Sequence, residues 1–444
     1  MSNINHPAFY DNPVVVKKMV QFRQLPFIQV LQRTMLTLFP IALIGSFAYL
    51  LSRVVFSPSG FIGNMISIRS WFSQYRFFYE IFSDIFNVTI GYISTYAALV
   101  SAQLTLRQHH KDIPAVGAFA MAAYVLIFMH YERGRIGVMD MRYYGPHWFI
   151  VGVLVGYFIG LIYARFGHKS EVANFELKSD DIVSRAFDNM KPLLIALILA
   201  FVIHVIYALI RTFTVDQMAA NSLTEMLNRN SNYGTTLILS LVVTLGAWLG
   251  FPELLNIPNN MFSSELSDNL NYALAHKTAW HIPYPFTPSS LYNGFANFGG
   301  IGVTLAFVIA ILWVSHQKNL RRVASASSIP VFFNVNYPVL YGAVMVLNPV
   351  YLLPTLIMPI FNMLVASSLI MIHVLPPLAY PIPVNTPGIL GPLMGSGGNW
   401  LEFVVSIILL IIDVAAYIPF VKLADNVDQM LAKSREGGDA NETK

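Results

Sequence analysis

Apolar runs of about 20 residues recur along this chain, set off by polar or basic stretches. A run of that length crosses the hydrocarbon of a bilayer as a helix. Lipid offers no partner for open backbone, so only helices or a closed barrel can span it, and runs this long select helices. Composition agrees: the 444 residues are 55% hydrophobic and 11% charged, less than half the roughly 25% charge usual in soluble domains. The chain therefore reads as an all-α polytopic membrane protein of about ten transmembrane helices. The net charge of +4 is small, and the basic residues sit in loops, where they report topology rather than nucleic-acid binding. Cysteine is absent, which excludes disulfides, thiolate metal sites and a cysteine nucleophile in this chain. The residues call for no cofactor and no metal. No cleavable signal peptide is expected, because the first long apolar run begins only after about thirty residues and no cleavage site follows a short apolar core.

Residues 1–16 are polar and contain proline, and read as a tail. Residues 17–33 mix basic and apolar side chains at helical spacing. They fit an amphipathic helix on the cytoplasmic surface, or equally the first turns of the next span. Spans are expected at about 34–56, 81–106, 115–130, 147–165 and 192–211. Basic residues precede the first span, and Arg107, His109, His110 and Lys111 follow the second, which places the N-terminus and that loop in the cytoplasm. The next loop should face outward, and its Arg133, Arg135 and Arg142 conflict mildly with that rule. Residues 168–191 are a charged linker. His204, inside the fifth span, fits a packed or hydrogen-bonded core position better than a proton relay. The resulting divisions are 1–33 (tail and amphipathic helix), 34–211 (about five spans), 212–423 (a less regular half) and 424–444 (a polar cytoplasmic tail).

In that less regular half, a span at about 234–251 ends in Gly250-Phe251-Pro252-Glu253. Residues 256–297 are rich in Asn, Pro, Ser and aromatics, and the orientation count needs one further crossing there. Asn297 to Thr304 opens a span to about 316, closed by Lys318, Arg321 and Arg322. The polar, Pro-broken stretch Phe333-Asn334-Val335-Asn336-Tyr337-Pro338-Val339-Leu340-Tyr341-Gly342 follows, running on to Asn348-Pro349. Irregular backbone at membrane depth survives only inside protein or beside a watery cavity. The stretch therefore points to a re-entrant hairpin lining a polar site, against the plainer alternative of a loop between spans. After a span at about 350–374, Tyr380 to Gly388 and Gly395 to Trp400 form a second broken stretch. The last span, about 401–421, contains Asp413, a costly carboxylate unless it is paired or faces a cavity. Tyr337, Tyr341, Trp280, Tyr284 and Tyr380 offer apolar faces to a sugar, and asparagines can take its hydroxyls. For any one aromatic, an interface belt or the core is the plainer reading.

At these residues the sequence resembles the membrane-embedded IIC component of the bacterial phosphotransferase system, of the lactose/cellobiose/diacetylchitobiose type. The family carries Phe-Asn-x-Asn-Glu-Pro-x-x-x-Gly followed by Leu-Asn-Pro, here Phe333 to Gly342 and Leu347-Asn348-Pro349. It carries Gly-Gly-x-Gly-x-Thr-Leu, here Gly299 to Leu305. Its Thr-Pro-Pro and Gly-Asp-Trp segments read here as Thr386-Pro387-Gly388 and Gly398-Asn399-Trp400, and its Tyr-Ile-Pro-Phe-Val-Lys ending is Tyr417 to Lys422. The resemblance implies a homodimer in the bacterial inner (plasma) membrane with both termini cytoplasmic. The first half would form the dimer interface, and the C-terminal half would be a transport domain with two re-entrant hairpins. It also implies uptake of an oligosaccharide, such as a β-linked disaccharide, by alternating access. Phosphate would come from a separate cytoplasmic IIB protein through a phosphocysteine, which the lack of cysteine here fits.

Two departures fall at the chemistry. Tyr337 stands where the family has the sugar-binding Glu, and Pro252 stands where it has a sugar-contacting His. A phenol is a poor general base at neutral pH, and proline has no side-chain donor. Glu253 is the candidate stand-in for the lost carboxylate, and the catalytic residues are otherwise unassigned. The residues expected to line the sugar site are Asn334, Asn336, Tyr337, Asn385, Thr386, Asn297 and Glu253. Three functions compete: a phosphorylating sugar permease; a degenerate relative that binds sugar as a sensor, receptor or facilitator; and an ion-coupled transporter using Asp413 and His204. The family-wide motifs favour the first.

Overall fold

The computed structural model describes residues 9–111, 113, 115–132, 135–138, 141–167, 187, 190–212, 233–252 and 264–442. Arg133, Glu253 and most of the charged linker lie outside the described residues. In chain order the main helices are α1 (Pro13–Arg23), α2 (Pro26–Tyr49, continued by a π-helical end, Leu50–Val55), α3 (Tyr75–Thr89), α4 (Ile93–Gln108), α5 (Val116–Phe128), α6 (Phe149–Phe166) and α7 (Met190–Thr212). They continue with α8 (Tyr233–Leu249), α9 (Ser264–His276), a π-helical segment Ser289–Ala296, α10 (Thr304–Val314), α11 (Lys318–Phe332), α12 (Tyr337–Gly342), α13 (Pro349–Met371) and α14 (Trp400–Glu442). The strands among the described residues are one small antiparallel pair, His130–Glu132 with Arg135–Val138, in the loop between α5 and α6. Among the described residues six helical stretches are long and apolar enough to cross a membrane, and the shorter apolar helices α5, α8 and α10 accompany them. This is the helical polytopic membrane fold that the apolar runs demand.

The chain divides into two compact units. One comprises Pro26–Ala42 and Asn87–Leu223. Its centre is the packing of α4 on α6, made by small residues. Gly152, Gly156 and Gly160 recur every fourth residue of α6, on one face. A Cβ at Gly156 would stand 2.9 Å from the Ala98 carbonyl carbon, and one at Gly160 would stand 2.6 Å from Thr105 Cβ. Ala98 and Ala102 opposite are fully buried. Close backbone approach supplies the packing energy that lipid-exposed apolar surface cannot. Lys111 Nζ donates to the carbonyls of Ala164 and Gly167, both at 2.6 Å, and so caps the C-terminal end of α6. His204 Nδ1 donates to the Ile127 carbonyl at 3.2 Å, so the half-buried ring is hydrogen-bonded to the neighbouring helix.

The other unit comprises Met1–Leu25, Leu43–Phe86 and Thr224–Lys444. Residues 17–33 do not form one amphipathic helix. Pro26 opens α2, and Leu25 before it is extended (ψ 132°), as a residue preceding proline prefers, so α1 ends at Arg23. The buried face of α1, Val16 and Val20, goes with its packing on α14. Arg23 pairs with Asp428 at 2.5 Å, and Asn426 Nδ2 donates to the Tyr10 carbonyl at 2.8 Å. The residues beyond 423 likewise continue a helix. Leu423, Ala424 and Val427 are buried, and Asp425 accepts from Ser315 Oγ, His316 N and Gln317 Nε2 between 2.7 and 2.9 Å, bracing the start of α11. Nearer the middle of α14, the Tyr417 hydroxyl donates to the Gly302 carbonyl at 2.5 Å while its ring meets Phe307.

Candidate functional site

Four irregular segments meet in this second unit, and side-chain amides join three of them. α11 stops at Phe332, and Asn334 turns the chain with φ +61°. Asparagine tolerates this left-handed conformation because its short polar side chain finds local partners. Asn334 Oδ1 accepts from Gly299 N at 2.8 Å, and its Nδ2 donates to the Thr386 carbonyl at 2.8 Å. Asn385, also left-handed at φ +57°, returns the contact: its Nδ2 donates to the Phe333 carbonyl at 3.0 Å. The fourth segment is Ser59–Phe61, where Val384 N donates to Ser59 O at 2.9 Å and Phe61 N to Val384 O at 3.0 Å. The Phe61 ring lies 6.3 Å from that of Phe333.

Glycines allow the close approach. Gly300 sits at φ +108°, and a Cβ there would lie 2.7 Å from the Asn336 side chain. A Cβ at Gly388 would lie 2.6 Å from the Asn297 carbonyl. Asn297, Asn334, Asn336, Asn385 and Thr386 are thus neighbours, and Tyr337 follows Asn336 as the first residue of α12, only 8% exposed. Asn348 closes the hairpin by capping α13, its Oδ1 accepting from Val350 N at 3.2 Å. α8 is bound to the same end: Leu347 N donates to Trp248 O at 2.8 Å, and Trp248 Nε1 donates to Asn348 O at 2.9 Å. The buried Pro252 follows four residues later. Glu253 lies outside the described residues.

These residues differ in what they can offer a ligand. The Asn334 amide is engaged at both ends and serves as a strut. Thr386 Oγ1 donates to Pro383 O at 2.8 Å, which stiffens the turn. Asn297 Oδ1 and Asn385 Oδ1 are buried with no donor among the described residues, and an unmet buried acceptor costs ~1–3 kcal/mol. The aromatics are dispersed: Tyr341 is fully buried, Tyr284 is exposed, and Trp280 stacks on His373 at 6.4 Å. Segments 59–61, 297–305, 333–342 and 384–388 contain no carboxylate and no imidazole, so they supply no ordinary general base. Asp413 is paired, accepting from Asn362 Nδ2 at 2.9 Å on Oδ2. Sequence reasoning missed Ser59–Phe61, Trp248 and Asn362. The signals present were the Pro58 and Gly60 turn residues and an asparagine inside an apolar helix.

The model of the phosphotransferase system EIIC family matches residues 32–359. The lactose-specific EIICB component of Staphylococcus haemolyticus is 34% identical over 178 residues, covering 40% of this chain and 30% of that protein. The component of the same name from Staphylococcus epidermidis is 33% identical over 178 residues, again 30% of its length, and that of Staphylococcus aureus is 34% identical over 148 residues, 26% of its length. The match therefore spans less than a third of these relatives. Among solved structures, the transporter ChbC, the IIC component of an N,N'-diacetylchitobiose-specific phosphotransferase system, is 18% identical with a TM-score of 0.43, over 96% of this chain and 98% of that one. With the family model covering most of its length, this chain belongs to the phosphotransferase system EIIC family.

Proposed function

We propose that this chain is the membrane permease of a sugar phosphotransferase system, taking up an oligosaccharide such as a β-linked disaccharide. The observation that carries the reading is the meeting of broken backbone segments around Asn297 Oδ1 and Asn385 Oδ1, two buried acceptors without donors, in a member of this family. Such a site sorts polyols by their hydroxyl pattern. The lactose-specific and diacetylchitobiose-specific names of the similar proteins suggest a disaccharide. The EIICB name of the staphylococcal proteins suggests a B component as phosphoryl donor, acting from the cytoplasm of a bacterial cell on a chain with cytoplasmic termini. In this reading 34–211 serves dimerisation, 212–423 serves transport, Asn336, Tyr337, Asn385, Thr386, Asn297 and Glu253 line the sugar path, and Asn334 is the strut that holds their segments together.

The test is uptake of radiolabelled disaccharides into liposomes holding the purified protein, with and without phosphorylated IIB. Sugar phosphate inside the vesicles that depends on IIB is the expected result. Entry that equilibrates without any phosphate transfer would replace the permease reading with that of a facilitator, in keeping with Tyr337 and Pro252 at the positions of the usual Glu and His.

A further inference from the structure

Asp413 lies on the buried face of α14 and has no exposed surface; Asn362 on α13 is equally buried. Asn362 Nδ2 donates to Asp413 Oδ2 at 2.9 Å and to the Phe295 carbonyl at 3.2 Å. Two acceptors on that nitrogen fix which way round the amide sits. Two oxygens of the pair are then left without a donor among the described residues, Asp413 Oδ1 and Asn362 Oδ1. An orphaned acceptor in a dry interior costs ~1–3 kcal/mol, and an ionised one costs more.

Among the described residues, no cation offsets this. α10, α13 and the turns Gly388–Leu390 and Gly391–Gly395, which pack on α14, hold no Lys, Arg, His, Asp or Glu. The titratable side chains on α13 and on the π-helical segment are Tyr351 and Tyr292. From α1 and Phe9–Asp11, Arg23, Tyr10 and Asp11 act on the 422–428 end of α14, and Lys17 and Lys18 are exposed. On α14 itself the same face carries Tyr417, committed to Gly302 O, and Glu402, buried with both carboxyl oxygens lacking donors.

We propose that Asp413 and Asn362 form a proton-binding site. A proton taken from water bonds to Asp413 Oδ1 and is donated to Asn362 Oδ1, so that acid and amide close a ring of two opposed hydrogen bonds. One proton then satisfies both orphaned oxygens. It fastens α14 to α13 and, through the Phe295 carbonyl, to the π-helical segment that leads into Asn297. Two unmet oxygens are too few for a metal ion of the Na⁺ or Ca²⁺ kind, which takes six or more ligands in the case of Ca²⁺. The proposal stands whether or not the chain phosphorylates sugar.

The test is infrared spectroscopy of the full chain in lipid vesicles at neutral pH, in a Glu402→Gln background so that Glu402 does not contribute. The expected result is a carbonyl band of a protonated carboxyl that moves in D₂O and is lost when Asp413→Asn is added. Absence of the band, or its persistence in the double variant, overturns the proposal. So does a band that appears only after sodium and potassium are replaced by a bulky organic cation, which marks a metal-ion site. Should Asp413→Asn fail to fold, Asn362→Leu in the same background decides: loss of the amide acceptor must shift the band, and an unmoved band refutes the ring.

Discussion

Asn334 and Asn385 each hold the other's stretch of chain: Asn334 Nδ2 donates to the carbonyl of Thr386, and Asn385 Nδ2 donates to that of Phe333. The Asn334 amide also receives Gly299 N. Replacing it by alanine strands a backbone N–H and frees two segments. Asn334→Ala is expected to destabilise the protein by ~1–3 kcal/mol, read as a lowered thermal midpoint in detergent. Asn334→Asp keeps the acceptor for Gly299 but sets an oxygen against the Thr386 carbonyl. It should cost at least as much as alanine, and a milder aspartate variant would contradict the geometry.

Asn297 Oδ1 waits for a donor. Asn297→Ala should weaken sugar binding about 5–10-fold, the worth of roughly one hydrogen bond. Isothermal titration with candidate disaccharides measures it, and unchanged affinity would remove Asn297 from the sugar path.

The family resemblance implies a carboxylate at the position of Tyr337. Tyr337→Glu should raise the rate of IIB-dependent sugar phosphorylation by ~10²-fold or more, the usual scale of general acid–base help. Tyr337→Ala should weaken sugar binding instead. Single-turnover assays with phosphorylated IIB separate the two effects, and a glutamate variant no faster than the parent would locate the chemistry elsewhere.

On α6, Gly156 has no room for a side chain against Ala98. Gly156→Leu should cost about 3 kcal/mol or more, because the backbones must part and not merely repack. A melting temperature within two or three degrees of the parent, on a scale where ~1 kcal/mol moves a domain of this size by about that much, would mean that α4 and α6 do not touch here.

The Arg23–Asp428 pair is partly buried, its side chains 16% and 33% exposed. A double-mutant cycle with Arg23→Ala and Asp428→Ala should give a coupling near 1 kcal/mol, shrinking at high salt. Coupling indistinguishable from zero at low salt would detach α1 from α14.

Much of this architecture was legible beforehand. Twenty-residue apolar runs admit few folds, and Pro338 and Pro349 sit in the first turn of the helices they open. What the sequence conceals is pairing at long range. Nothing about Asn362 alone says that its amide will meet Asp413, 51 residues on, or about Arg23 that it will meet Asp428, 405 residues on. Asn334 shows a subtler limit. An asparagine in a broken stretch invites reading as a sugar ligand, whereas its amide is occupied at both ends by backbone. The break at Leu25 was readable from Pro26, since the residue before proline resists helix; the basic and apolar spacing across 17–33 masked it.

The two links between Phe333-Asn334 and Asn385-Thr386 each close a loop of the same length, 52 residues apart in sequence. Closing a loop that long carries an entropic penalty that hardly depends on how many bonds then form at its neck. The first link bears that penalty and the second forms almost free of it. The neck should therefore open and shut in one step, with no half-tied state between, and a sugar resting there would meet both broken stretches together or neither.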